Sequence, residues 1–287
     1  MQKMLMIFVD GLGLAQPSPT TNPINSEICP NLTKALHNYA TPIDAILGVH
    51  GTPQSATGQT SLLTGINAQK KIGRHVGGFP GPSLRKIICK HNIFEQLKKQ
   101  GLKSTFANGY LSRNIEDIQN MRKKSVTTVA TLSTFGDVRR RHLLEKNQAI
   151  THDIIRDTLT SRGYTSPQIT PEQAAQDLIN IANQHSFTLF EYFLTDRAGH
   201  TTNIEKAKQA LQRLDALVAK LLNLTKDSEI TLILTSDHGN IEDLRTKSHT
   251  TNPIPFLAYG PNATHLRNNV TNLTHITPEL VKMLKNT

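Results

Sequence analysis

The sequence contains no tryptophan, only two cysteines and 5% aromatic residues. No apolar stretch approaches the roughly 20 residues of a membrane helix, which excludes a helical membrane span. Cys29 and Cys89 stand far apart with no Cys-x-x-Cys or Cys/His spacing. A disulfide framework and a cysteine-based zinc site are therefore not expected, and both cysteines read as small core residues. The scarcity of aromatics, with no helix-turn-helix, zinc-finger or RNA-binding signature, argues against a nucleic-acid partner. The apolar start of the chain is too short for a secretory leader and is interrupted by Asp10. It reads as a first buried strand, and a cytoplasmic location is expected.

What is present is an ordinary globular composition, 37% hydrophobic and 19% charged, over 287 residues. That length suits one large α/β domain, and a single domain spanning residues 1–287 is expected. The net charge of +10 is spread along the chain, with small clusters at Arg122-Lys123-Lys124 and Arg139-Arg140-Arg141. Such a balance suits a small anionic, phosphate-bearing substrate; each cluster is either a solvated face or an arginine fork for phosphate.

Continuous apolar runs at residues 4–9, 104–107, 189–194, 230–234 and 255–258 read as strands covered on both faces. Helical patterns fill the gaps at 92–99, 173–184 and 204–222. In the last of these Ile204, Ala207, Leu211, Leu214, Val218 and Leu221 form one stripe. Strands alternating with helices predict a three-layer αβα sandwich with a mainly parallel sheet. Residues 111–170 do not fit this alternation and are expected to form a small lid or an excursion.

Four segments carry the chemistry. They are Asp10-Gly11, Asp196-Arg197-Ala198-Gly199-His200, Asp237-His238-Gly239-Asn240 and His249-Thr250-Thr251-Asn252, which together hold three Asp and three His. Asp10, Asp196 and Asp237 each follow an apolar run, and ligands of open α/β sheets collect beyond the carboxyl ends of strands. One such Asp is commonly a cap or turn residue. Three of them, two closely followed by His, point instead to a pair of divalent cations. A helical turn would bring Asp196 and His200 to one face. Carboxylate oxygen with imidazole nitrogen suits Zn²⁺ or Mn²⁺ better than Ca²⁺.

A fifth segment, residues 51–65, is dense in hydroxyls and runs into a helix pattern near Thr60. A hydroxyl at a helix N-terminus meets free amides and the positive end of the dipole, a setting for phosphate. Metal coordination can turn such a hydroxyl into a nucleophile. Thr52, Ser55, Thr57, Thr60 and Ser61 compete for that role on residue chemistry alone.

These segments resemble motifs of the alkaline phosphatase superfamily of metalloenzymes, and within it the cofactor-independent phosphoglycerate mutases and phosphopentomutases. Ser236–Asn240 is similar to the mutase Ala-Asp-His-Gly-Asn, and Asp196–His200 to Asp-x-x-Gly-His. The stretch from His249 to Pro255 is similar to His-Thr-x-Asn-x-x-Pro. Ser55-Ala56-Thr57-Gly58-Gln59 aligns with Ser-Glu-Val-Gly-His, with Gln59 in the place of His.

The resemblance implies Ser55 as a phosphorylated nucleophile, with Thr57 next in line. It implies one ion on Asp196, His200 and His249, and another on Asp10, Ser55, Asp237 and His238, about 4 Å apart. Gln59, Arg74, His75 and Arg113 are candidate substrate contacts. The mutases insert a large second domain after the nucleophile helix, and the stretch between Ser55 and Asp196 is too short for it. The expected activity is therefore hydrolysis of a small phosphomonoester, with mutase or phosphotransferase, or phosphodiesterase or nuclease, activity as alternatives.

Overall fold

The computed structural model describes residues 2–16, 18, 20–160, 162–163 and 167–285. Its strands are β1 (Lys3–Val9), β2 (Ala40–Ile43), β3 (Ser104–Phe106), β4 (Phe187–Tyr192), β5 (Ile230–Thr235) and β6 (Ile254–Tyr259). They form a six-stranded sheet in the order β2-β6-β5-β1-β4-β3. Strands β5, β1, β4 and β3 are mutually parallel, whereas β6 is antiparallel to both β5 and β2.

Alternation along β1 explains why its run is apolar throughout. Met4, Met6 and Phe8 enter one core cluster, with helices Ser55–Thr64, Pro82–His91, Ile93–Lys98, Val126–Phe135 and Leu273–Lys285. Leu5, Ile7 and Val9 enter the other, with helices Pro30–Tyr39, Pro171–Ala182 and Ile204–Thr225. Both faces are therefore covered, and the three-layer αβα sandwich expected from the patterning is what the chain forms. None of its described helices is long and apolar enough to cross a membrane.

The reversed strand β6 decides where the site can be. The loop leaving β5 stays at one edge of the sheet and re-enters it through β6. Thr235, at the end of β5, pairs with Phe256, near the start of β6. Residues just before β6 therefore share an edge with residues just after β1, β4 and β5. This is how His249 reaches the Asp residues, although it precedes its strand rather than following it.

Helix starts follow their caps. Asn203 accepts from the amides of Glu205 and Lys206, and Thr170 accepts from that of Gln173 ahead of Pro171. Along the predicted stripe of Ile204–Thr225, Ala207, Leu211, Leu214, Val218 and Leu221 are buried, and Ile204 is half-buried. The helix expected near Thr60 begins at Ser55. Cys89 is exposed rather than in the core.

The hard-to-place stretch 111–170 is in part core. Ser125 caps helix Val126–Phe135, and Val126, Val129 and Ala130 join the same cluster as Met4 and Phe8. Its Thr-rich sequence concealed the helix, because tertiary burial overrides weak propensity. Bridges from Asn108 to Ile150 and from Gly109 to Arg139 tie the rest to the sheet. Residues 161 and 164–166 of this stretch lie outside the described residues.

Candidate metal centre

Asp10 follows β1 directly, and its carbonyl accepts from the Thr195 hydroxyl at 2.6 Å. Asp237 lies just past β5, held by a contact of 3.4 Å from the Gly11 amide to its Oδ1. The Ser236 hydroxyl accepts from the Leu12 amide and donates to the His238 carbonyl, both at 2.9 Å. This folds the loop so that Asp237 and His238, adjacent in sequence, both turn inward and are fully buried. Gly11 has φ of +71°, and a Cβ there would lie 2.9 Å from Asp196.

Two clusters result. In one, the Asp196 carboxylate lies 3.3 Å from His200 Nε2 and 3.4 Å from His249 Nε2, and those two nitrogens are 3.2 Å apart. The helical turn Leu194–Gly199 supplies the spacing for Asp196 and His200. His200 Nδ1 donates to the Lys247 carbonyl at 2.6 Å, and His249 Nδ1 to that of Pro53 at 3.0 Å. In the other cluster, His238 Nε2 lies 3.3 Å from Asp10 Oδ1, 3.4 Å from Asp237 Oδ2 and 3.0 Å from Ser55 Oγ. The His238 and His249 rings stack at 3.6 Å between centroids and join the clusters. His238 also groups closely with Asp196 and His249, so the distances alone allow it to serve either cluster.

The electrostatics of this arrangement call for positive charge. Burial raises the Asp10 pKa, aided by the charges of Asp237 and Asp196, and burial with Asp196 raises that of Asp237. Burial also acts on Asp196, but the bond from His249 and the charge of His238 outweigh it and lower its pKa. Burial, then His249, depresses His238 to about 3, so its imidazole is neutral. Asp10 Oδ1 and Asp237 Oδ2 have no hydrogen-bond donor. They lie 3.3 and 3.4 Å from Nε2 of this uncharged imidazole. Buried acceptors converging without donors fit a divalent cation, and this oxygen–nitrogen set fits Zn²⁺ or Mn²⁺.

Ser55 is the first residue of its helix and is half-buried. The Thr57 amide is bound to the Val76 carbonyl, while the amides of Ser55 and Ala56 have no partner among the described residues. The competing hydroxyls point elsewhere. Thr57 Oγ1 bonds to the Gln54 carbonyl, Thr60 Oγ1 to that of Ala56, and Ser61 Oγ to Thr57 and Gln69. Thr52 does not line the cavity. Gly58 lets the helix seat on the Asp237 loop, since a Cβ there would fall 2.8 Å from the Asp237 carbonyl oxygen.

A cavity of about 520 Å³ opens over Asp10, Ser55 and Asp196, rimmed by Phe79, Met121, Lys123 and Arg197. Gln59 lines it but is nearly buried, donating to Asp10 Oδ2 at 3.2 Å. The other candidate substrate contacts are not brought to the cavity. Arg74 is exposed beyond helix Ala68–Ile72, His75 is bound to the Val49 carbonyl at 3.0 Å, and Arg113 pairs with Glu145 at 3.6 Å. Of the two basic clusters only Lys123 reaches the cavity. Arg139, Arg140 and Arg141 bind Thr105, Asp137 and Glu145.

Several residues were not foreseen. Glu191, in β4, lines the cavity, takes the Thr127 hydroxyl at 2.6 Å and is pushed by burial to a pKa of about 7. An acid inside an apolar strand run was the signal for it. Glu242 accepts from the amides of Gly13 (3.0 Å) and Asn240 (2.7 Å), the Asn252 side chain (3.0 Å) and the Thr250 hydroxyl. It ties together the three loops that carry Asp10, Asp237 and His249, and nothing in its local pattern marks it.

Comparison with known proteins shows the family of the chain and its fold. Residues 2–286 match the family described as the Metalloenzyme superfamily. A 2,3-bisphosphoglycerate-independent phosphoglycerate mutase of Gracilaria tenuistipitata var. liui is 32% identical over 129 residues, 41% of this chain and 25% of that protein. One of Ehrlichia canis (strain Jake) is 30% identical over 112 residues, 34% of this chain and 22% of that protein. The match thus spans about a quarter of those relatives' length. Among solved structures, the PH0037 protein from Pyrococcus horikoshii aligns with TM-score 0.62 and 14% identity, covering 100% of this chain and 97% of that one. The alkaline phosphatase from the Antarctic bacterium TAB5 aligns with TM-score 0.58 and 13% identity over 99% and 97%. These structural likenesses concern the fold, and the match along nearly the whole sequence concerns descent: the chain belongs to the metalloenzyme superfamily, with the alkaline phosphatase-like core.

Proposed function

We propose that this protein hydrolyses a small phosphomonoester through a phosphoserine formed on Ser55. The observation that carries the reading is the placement of Ser55. Its hydroxyl lies 3.0 Å from His238 Nε2, at the start of a helix whose Ser55 and Ala56 amides are unpartnered among the described residues. Those amides and the helix dipole favour the phosphoryl group at that end of the helix. Asp196, His200 and His249 would hold one divalent cation, and Asp10, Asp237, His238 and Ser55 the other, with Zn²⁺ or Mn²⁺ suited to both. Bound there, the ions supply charge stabilisation and lower the pKa of the attacking hydroxyl.

Ser55 attacks phosphorus, the alcohol leaves toward the open side of the cavity, and water then releases phosphate from Ser55. Gln59 positions Asp10 through its bond to Oδ2. Glu242 positions the ligand loops through the amides of Gly13 and Asn240, the Thr250 hydroxyl and the Asn252 side chain. Water as acceptor is supported by the open rim, where Phe79 is 47% and Met121 44% exposed. A mutase must instead enclose its half-product while it reorients. We read the chain as one domain in which residues 111–170 contribute this rim, and we place it in the cytoplasm, with both cysteines free.

Mutase or phosphotransferase activity is the second reading. It is favoured by the relatives named phosphoglycerate mutase and by the two cations at the rim, Lys123 and Arg197. The test is phosphate release from a panel of monoesters and a diester, with Zn²⁺ or Mn²⁺ restored after chelation. Free phosphate that disappears in Ser55→Ala supports the hydrolase. An isomerised product without free phosphate supports the mutase. Diester cleavage with a steep salt dependence supports a nuclease.

A further inference from the structure

A second cavity, of about 400 Å³, abuts the one over Ser55. The two share Met121, Ser125, Thr128, Glu191 and Phe193 as lining residues, so they meet along one wall. Both volumes fall within the roughly 300–1,000 Å³ of pockets that engulf a sizeable ligand. The second chamber is walled by Phe106, Tyr110, Leu111, Ile118 and Leu159. His152, stacked on Phe193 at 4.4 Å, is pushed by burial to a pKa of about 4 and adds no charge. The charged groups at its lining besides Glu191 are one acid, Asp117, and one base, Arg162.

The rim adds a second, independent observation. Among the described residues the large hydrophobics left exposed are Phe79, Met121 and Phe135, and the first two line the cavity over Ser55. Lys123 Nζ lies 5.9 Å from the Phe79 ring centroid, and Phe79 and Met121 still leave apolar surface open to water beside Ser55. Met121 belongs to both cavities and stands where a molecule would pass from one to the other. A compact polyanion would gain little from these walls, and it would find few cations in the inner chamber.

We infer that the substrate is a phosphomonoester whose alcohol carries an apolar body at least the size of a phenyl ring. Its phosphate would lie at Ser55, and its hydrocarbon part would pass Phe79 and Met121 into the chamber walled by Tyr110, Ile118 and Leu159. This rests on the reading that the centre binds a phosphoryl group, and the test separates the two claims.

Ethylphosphonate and phenethylphosphonate share a head group that is not hydrolysed and differ in the ring alone. Their binding to the metal-loaded protein is measured by calorimetry, for wild type, Phe79→Ala and Met121→Ala. Both positions are exposed, so the variants keep the fold. Burial of the ring predicts phenethylphosphonate about tenfold or more tighter than ethylphosphonate. The ratio of the two affinities falls several-fold in each variant. Equal affinities, or a ratio indifferent to both substitutions, would overturn the inference while leaving a phosphoryl site in place. Binding of neither phosphonate would overturn the phosphoryl reading and this one with it.

Discussion

His200 and His249 point their Nε2 atoms at each other across 3.2 Å, while each uses Nδ1 to donate to a backbone carbonyl. Two imidazole lone pairs at that separation repel unless a proton or a cation lies between them. Burial lowers the pKa of His249, but Asp196, within 3.4 Å of both rings, outweighs it and raises that pKa. A divalent cation binds these ligands only in their deprotonated form. Titrating metal-free protein with Zn²⁺ in weak buffer should release protons in step with binding. His249→Ala should release fewer and should bind one ion fewer by elemental analysis.

Ser55→Ala should reduce phosphate release by roughly 10³-fold or more, with the fold retained. Thr57→Val is the matched control. The Thr57 hydroxyl sits inside the helix start, against Gln54 and Val76, and its loss should affect thermal stability more than turnover. Steady-state kinetics of both variants, alongside circular dichroism, separate the two roles.

Glu242→Ala leaves the amides of Gly13 and Asn240, the Asn252 amide group and the Thr250 hydroxyl without their acceptor. Each buried unsatisfied donor costs about 1–3 kcal/mol, so a loss of about 3 kcal/mol or more is expected in urea denaturation. Metal affinity should fall as well, because the three ligand loops lose their common anchor. Gly58→Ala should harm metal binding by a different route, pushing the nucleophile helix off the Asp237 carbonyl.

Glu191 predicts a pH dependence of the metal-free protein. Burial raises its pKa from 4.5 to about 7, so the folded state holds the proton more tightly than the unfolded chain. The stability from this group is fully present below about pH 4.5 and is lost as pH rises through about 7. The loss is of order 3 kcal/mol. Glu191→Gln, which stays neutral, should flatten that part of the profile; thermal denaturation between pH 4.5 and 8 checks it.

Much of this was legible in the residue pattern, for identifiable reasons. The runs at β1, β4, β5 and β6 are apolar because both faces are covered, and an Asp just beyond an apolar run marks the sheet edge. The reversal of β6 was not legible, because strand direction is set by the loop that precedes it rather than by the strand. Helix Val126–Phe135 was hidden by its threonines. In the sequence Ser55 is set apart from Thr57 and Thr60 by resemblance alone; in the fold the Thr57 and Thr60 hydroxyls bond to backbone carbonyls, whereas that of Ser55 faces His238. Arg74, His75 and Arg113 lie on segments expected near the rim, and none of them lines the cavity. Glu191 and Glu242 carry no motif, since their roles depend on contacts between distant loops.

The central claim is that Ser55 takes the phosphoryl group and passes it to water. Rapid quenching of the metal-loaded protein with a radiolabelled phosphomonoester, followed by peptide mapping, tests it directly. A transient label on Ser55 should form before free phosphate accumulates, decay to phosphate and be absent from Ser55→Ala. Phosphate released at the full rate with no label on Ser55, or unchanged turnover by Ser55→Ala, would contradict it.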